Sequence, residues 1–431
     1  MAFGGGAADA DRRSYLLALG SGQIALLATA AGQLISIPLQ ISAVGVEGFG
    51  VVSLVLTWLG LAAAGVVWLT SGGVRRLGET AAREEWNAYH SARIAVHVCL
   101  AGFGLLLALV VPPIGLALAD HLSPELHGQW PGALLWISAY AFLQYEQAGV
   151  TTILTAGKRQ HICNLGVIAQ NVVFIVVLWL LLRDGGGLSE IFFALAAGLA
   201  TSRLILAIGA RRGLPVSGAR GRFRSGVRDL LGRRGAGYTA YGTLTLFQNA
   251  DMALVGLLGG SEAAGLFGLV WRIPTLLVQV LWRIPAYLEP YIIHSDAAGN
   301  KASVQSLYTR GEAAFYSAAL LGALLFGLFG YEVLEIWVGA GHAPAASWIY
   351  WAAGGAAFWL AAVRWPINFL HAMVRLRGLV AALSLEIVLR LLLIVSLYSI
   401  AGFAAPFIAV NVVMGGLLFW MYRKLSRSTL A

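Results

Sequence analysis

The sequence predicts an all-α polytopic membrane protein: twelve spanning helices in two six-helix lobes related by a parallel pseudo-two-fold repeat. Three observations carry that expectation. The 431 residues are 59% hydrophobic and only 11% charged, with a mean hydropathy of +0.77. Apolar runs of about 20 residues, the length that crosses a bilayer as a helix, recur from end to end. Lysine and arginine cluster in alternate loops, as orientation in a membrane requires.

The expected spans run, in order, over 15–43, 50–70, 94–119, 132–156, 162–182, 189–210, 236–259, 264–293, 312–334, 347–370, 377–398 and 401–422. The first contains Pro38, which predicts a kinked or tilted helix. Asp9-Ala-Asp-Arg-Arg13 precedes an apolar run too long for a signal-peptide core, and no small-residue cleavage site follows, so this run is expected to stay as a helix. With the N-terminus inside, Arg12, Arg13, Arg75, Arg76, Arg83, Arg93, Lys158, Arg159, the dense run from Arg211 to Arg234, Lys301, Arg310, Arg375, Arg377, Arg423, Lys424 and Arg427 all fall on the inner side. Of the loop cations only Arg183 falls outside. Both termini are therefore expected in the cytoplasm. The net charge of +9 reads as topological, so no nucleic-acid partner is expected. Cys99 and Cys163 both fall in or beside apolar segments and offer neither a disulfide framework nor metal spacing.

Two echoes lie half a chain apart. Glu47-Gly-Phe-Gly50 follows the first span and Glu262-Ala-Ala-Gly265 the seventh, 215 positions on. Leu154-Thr-Ala-Gly-Lys-Arg159 and Leu370-His-Ala-Met-Val-Arg375 both read L-x-A-x-x-R, at an offset of 216. Six spans separate the copies, an even number, so the halves share one orientation. The expected organisation is an N-terminal lobe over 1–210, a basic linker over 211–235 and a C-terminal lobe over 236–431. In the linker, Phe223, Val227, Leu230 and Leu231 have helical spacing beside Arg222, Arg224 and Arg228. Such a segment is either an amphipathic helix on anionic lipid or a disordered basic tether.

Ionisable residues inside spans are functional candidates by default. The bases are Arg203, Arg272, Arg283, Arg364 and Arg390; the acids are Glu146, Asp251, Glu289 and Glu386. Each also has a structural reading. Arg203 and Arg272 are each within reach of a membrane surface, Glu289 is near an inner end, Arg364 could pair with an acid on a neighbouring helix, and Glu386 and Arg390 are four apart on one helix. Arg272 and Arg283 are eleven residues apart, three helical turns plus about 20°, so they share a face with Thr275 and Gln279 between them. Pro274 and Pro285 favour bends in the same helix. Tyr241, Thr245, Gln248 and Asp251 share a face of the seventh span, and Gln33, Ser36 and Gln40 one of the first, with Gln33 matching Gln248 at the 215 offset. Those faces suit helix-to-helix hydrogen bonds as well as a hydrated lining. No Walker A loop, CxxC pair or HExxH appears, so no cofactor, no metal and no enzymatic activity are expected.

The turn Gly45-Val-Glu-Gly-Phe-Gly50, the basic Arg75-Arg76, the second Gly260-Ser-Glu-Ala-Ala-Gly265 and the helix ending Leu334-Glu-Ile-Trp-Val-Gly339 together resemble the polysaccharide (Wzx-type O-antigen) flippases of the multidrug/oligosaccharidyl-lipid/polysaccharide exporter superfamily. The resemblance spans about 15–422. It implies two lobes in a V around a central cavity, a bacterial inner-membrane location, and movement of an undecaprenyl-diphosphate-linked oligosaccharide to the outer leaflet for O-antigen or exopolysaccharide synthesis. It also implies a polysaccharide polymerase and chain-length machinery as partners. On this expectation Arg272, Arg283, Gln279, Arg364, Arg390, Arg203 and Gln248 bind substrate, and Glu146 or Asp251 balances charge or carries a proton. The rival readings are a drug or metabolite exporter of the same superfamily, a membrane polymerase, ligase or glycosyltransferase, and a scaffold without transport activity.

Overall fold

A computed structural model describes residues 5–211, 220–231, 236–297, 300–373 and 376–430. Linker residues 212–219 and 232–235, Arg375, and the side chains of Arg12, Arg13 and Glu289 lie outside the described residues. Every regular element described is helical. The chain divides into two compact units: residues 1–45 with 62–239, and residues 46–61 with 240–431. Residues 46–61, expected in the N-terminal lobe, thus group with the second unit.

The first unit holds the opening part of α1 (Gly5–Ala62), then α2 (Val67–Ala82), α3 (Trp86–Ala117), the one-turn α4 (Pro124–His127), α5 (Trp130–Ala156), α6 (Gln160–Arg183), α7 (Leu188–Arg211) and the short linker helix α8 (Phe223–Leu230). α5 packs on α3 and α7, α6 on α7, and α8 on α3. The second unit holds the end of α1, then most of α9 (Ala236–Phe247), α10 (Asp251–Ala297), α11 (Lys301–Val338), α12 (Trp348–Ala372), α13 (Leu376–Ala401), α14 (Ala405–Val413) and α15 (Phe419–Leu430). α12 is its hub, packing on α10, α11, α14 and α15. Small buried residues on α12 (Ala353, Gly354, Ala357, Ala361) let neighbours approach closely, the packing mode of helices in lipid.

The two Gly-x-Glu-x-x-Gly motifs do the same structural job. α1 bends at Gly45 (φ 69°, ψ −178°) and α10 at Gly260 (φ 79°, ψ −171°), a backbone region open essentially to glycine alone. Five residues on, a Cβ at Gly50 would lie 1.8 Å from the Ser261 carbonyl oxygen, and one at Gly265 would lie 2.2 Å from that of Val46. The two bent segments therefore cross reciprocally inside the second unit, and glycine at each crossing point is sterically required. The 215-residue echo is a real local equivalence at these segments.

Among the described residues, seven stretches are long and apolar enough to cross a membrane: Gly20–Ala81, Trp86–Ala117, Gln160–Arg183, Leu188–Ala210, Ala240–Pro285, Lys301–Val338 and Arg377–Thr429. This is fewer than the twelve separate spans expected, for two reasons. Helices continue through the bends at Gly45 and Gly260 and through a 3-10 turn at Gly402–Ala404, so that three stretches run 62, 46 and 53 residues, well beyond the roughly 20 that one crossing needs. In addition, α5 and α12 form where spans were expected but are interrupted by polar side chains: α5 carries Gln144, Glu146 and Gln147, and α12 carries Arg364 amid several tryptophans.

Candidate functional site

The polar residues of the second unit converge where the seventh expected span breaks. α9 ends at Phe247, a turn follows at 248–250, and α10 starts at Asp251. The Asn249 N–H bonds the Leu246 carbonyl and that of Ala250 the Phe247 carbonyl, a tightened last turn. Breaking the helix frees the Gln248 carbonyl, and the Arg390 Nη2 of α13 donates to it. Asp251 stands at the start of α10, where a helix N-terminus favours negative charge.

Around this break a closed network forms. Arg390 Nε lies 3.1 Å from Asp251 Oδ1 and its Nη1 3.5 Å from Glu386 Oε1. The 3.1 Å contact is electrostatic only, because neither atom meets hydrogen-bond geometry there. Gln248 Nε2 donates to Glu386 Oε1 (3.0 Å), the Tyr422 hydroxyl to Glu386 Oε2 (2.9 Å), and Arg364 Nη2 to Gln248 Oε1 (3.1 Å). The Arg364 guanidinium carbon lies 3.6 Å from the centre of the Trp282 ring, a cation–π stack. Glu386 is 0% exposed and Arg390 1%. Two arginines and two carboxylates balance, so Arg364 and Arg390, both expected among the substrate-binding residues, sit in a cluster of matched charge.

Arg203 and Glu146 meet in the first unit, between α7 and α5. Arg203 Nε and Nη2 both donate to the carboxylate in a bidentate fork, the second at 2.6 Å, with His97 Nε2 at 3.7 Å from the same carboxylate. Arg203 therefore binds an acid on the neighbouring helix and does not reach for the surface. Gln147 Nε2 donates to Ser202 Oγ beside it (3.0 Å), stitching the same two helices.

The α10 stripe is different. Arg272 is partly buried, its Nε has no hydrogen-bond partner, and Arg283 is exposed. No carboxylate lies within ion-pairing distance of either guanidinium among the described residues. Gln279 is half-buried between them. The Thr275 hydroxyl bonds back to the Trp271 carbonyl of its own helix (2.7 Å), so it adds no free donor to the stripe.

One buried acid escaped the sequence reading. The expected span 312–334 begins at Glu312, but α11 starts at Lys301, so Glu312 lies well inside the helix and accepts from Arg423 Nε (2.8 Å) and Arg427 Nη2 (2.9 Å) of α15. The signal available was the apolar spacing of Val304, Tyr308 and Phe315, which continues the helix backwards. Trp282 and Tyr422 were also not anticipated as partners of the arginine cluster; nothing in their spacing marks them. Among the described residues no group of three or more His, Cys, Asp or Glu is placed to hold a metal ion.

No family model matches the chain, and no curated protein matches it. Solved structures do. An inward-facing multidrug resistance MATE family transporter of the MOP superfamily is similar over 96% of this chain and 98% of its own, with a TM-score of 0.77 at 12% identity. The MATE multidrug transporter DinF-BH, solved with R6G, is similar over 96% of this chain and 95% of its own, with a TM-score of 0.71 at 14% identity. A MOP superfamily transporter from Pyrococcus furiosus, described as having a binding pocket of reversed polarity that suggests a different function, is similar over 94% and 95%, with a TM-score of 0.62 at 12% identity. The likeness is one of fold: this is a helical membrane protein with a MATE-like fold.

Proposed function

We propose that this chain is a membrane transporter that carries an anionic, lipid-linked oligosaccharide, of the undecaprenyl-diphosphate type, from the inner to the outer leaflet by alternating access. The observation that supports it is the α10 stripe. Of the five arginines in expected spans, Arg203 and Arg390 are committed to carboxylates and Arg364 to Trp282 and Gln248, while Arg272 and Arg283 face none among the described residues. Uncompensated guanidinium groups in an apolar helix are costly unless an anion visits them, and their planar forks match diphosphate oxygens. Binding replaces headgroup hydration with fixed charge, and no covalent chemistry is required. The substrate-binding set narrows to Arg272, Gln279 and Arg283, with Arg203, Arg364, Arg390 and Gln248 holding the helices that frame the movement. Glu146 and Asp251, each beside an arginine, are the sites for proton or charge coupling. Twelve crossings, six in each half, both termini in the cytoplasm of a bacterial inner membrane, and a polymerase downstream go with this reading.

Export of a drug or metabolite is the second reading, and the fold suits it equally. Its cargo, if cationic, would use Asp251 and Glu386, both already held against Arg390. Reconstitution separates the two. In proteoliposomes holding the purified chain, a fluorescent diphosphate-linked oligosaccharide should change leaflet without bond change, and a lipophilic cationic dye should not be pumped. Dye transport without lipid movement would establish the exporter, and a lengthened or transferred glycan would establish an enzyme.

A further inference from the structure

The linker helix α8 carries three stripes with different fates. The first faces inward: Gly226 and Leu230 are buried, and a Cβ at Gly226 would lie 2.0 Å from the Ser91 carbonyl oxygen, so α8 touches α3 backbone to backbone. The Arg222 N–H donates to Ser91 Oγ (2.9 Å), the Arg220 N–H to Asn87 Oδ1 (3.1 Å), and Arg76 Nε of α2 pairs with Asp229 Oδ2 (2.6 Å). α8 is no free tether; it is fixed to α2 and α3.

The second stripe, Phe223, Val227 and Leu231, lines an open slot of about 480 Å³ whose far wall is Trp68 and Cys99. Phe223 and Leu231 stay exposed in spite of that docking. The third stripe, Arg224 and Arg228, completes the lining of the same slot. Both arginines are exposed, and neither pairs with a carboxylate among the described residues, since the nearby Asp229 is taken by Arg76.

We infer that this slot is a binding site for an anionic phospholipid, one acyl chain lying against Trp68, Cys99, Val227 and Leu231 and the phosphate held by Arg224 and Arg228. The chemistry selects that occupant. An apolar wall with two unspent cations at its edge matches a molecule with an apolar tail and a negative head, and an amphipathic helix beside spanning helices lies at headgroup level. A soluble anion would leave the apolar wall wet, and a zwitterionic lipid would bring no net charge to the arginines. The site is independent of the cargo proposed above, since it lies on other helices and uses none of the α10 residues. It makes the docked linker a lipid-stabilised clasp on α2 and α3.

Native mass spectrometry of the full-length chain, titrated in mild detergent with short-chain phosphatidylglycerol or phosphatidylcholine, tests it. Phosphatidylglycerol should bind at least tenfold more tightly. Arg224→Gln with Arg228→Gln should weaken it about 25-fold, from about fivefold per cation at a lipid surface. Val227→Trp, which fills the slot without altering charge, should abolish it, and Arg310→Gln, an exposed cation elsewhere, should change nothing. Alkylation of Cys99 in Cys163→Ala protein gives a second readout: phosphatidylglycerol should protect it and phosphatidylcholine should not. Equal binding of the two lipids, full affinity in the double glutamine variant, or a Cys99 indifferent to phosphatidylglycerol would each overturn the inference.

Discussion

Arg390 and Arg272 are the same side chain in two apolar helices of one unit, and they have opposite surroundings. Arg390 is 1% exposed, touches two carboxylates and donates to a carbonyl released by a helix break. Arg272 has a buried Nε with no partner and no acid in reach among the described residues. The difference teaches that an arginine in a membrane span is not by itself a binding residue. Where its charge is cancelled inside the unit it holds helices together; where it is not, we propose that the missing partner is a ligand.

The largest test of that contrast is Arg390→Gln. It strands Asp251 and Glu386 in an interior without their cation and should cost about 3–5 kcal/mol, read as loss of the folded species in a thermal melt of detergent-solubilised protein. Adding Asp251→Asn and Glu386→Gln to the same chain should recover most of the loss; failure to recover would mean that Arg390 acts through shape and not charge. Arg203→Gln should cost less, about 1.5–3 kcal/mol, because its side chain is 26% exposed and the Glu146 left behind can draw water. A double-mutant cycle with Glu146→Gln should show coupling, which additive losses would refute. Trp282→Leu should cost about 1–2 kcal/mol by removing the ring under Arg364. Arg272→Gln should shift the melt least of all, by under about 0.5 kcal/mol, since no partner is lost.

The sequence made the helical, membrane-spanning class and the paired glycine turns legible, because apolar run length and a glycine-only backbone leave local marks. The Arg390–Glu386 contact was also visible, as an i,i+4 pair. Asp251 as a further partner was not, because that contact exists only after the helix breaks at 248–250, and propensity does not mark a break enforced by a captured carbonyl. The Arg203–Glu146 fork joins residues 57 apart on separate helices, a register that no local pattern encodes. Spacing put Arg272 and Arg283 on one face but could not say that Thr275 between them turns back on its own helix.

Binding of a short-chain polyprenyl diphosphate to the purified chain measures the central claim most directly. Affinity is compared between the unaltered protein, Arg390→Lys, and Arg272→Gln with Arg283→Gln, all at matched folded fraction. The account predicts that the double α10 variant melts normally yet binds at least tenfold more weakly, the loss of one charge-assisted hydrogen bond or more, and that Arg390→Lys binds as the unaltered chain does. Full affinity in a folded Arg272→Gln, Arg283→Gln protein would contradict it.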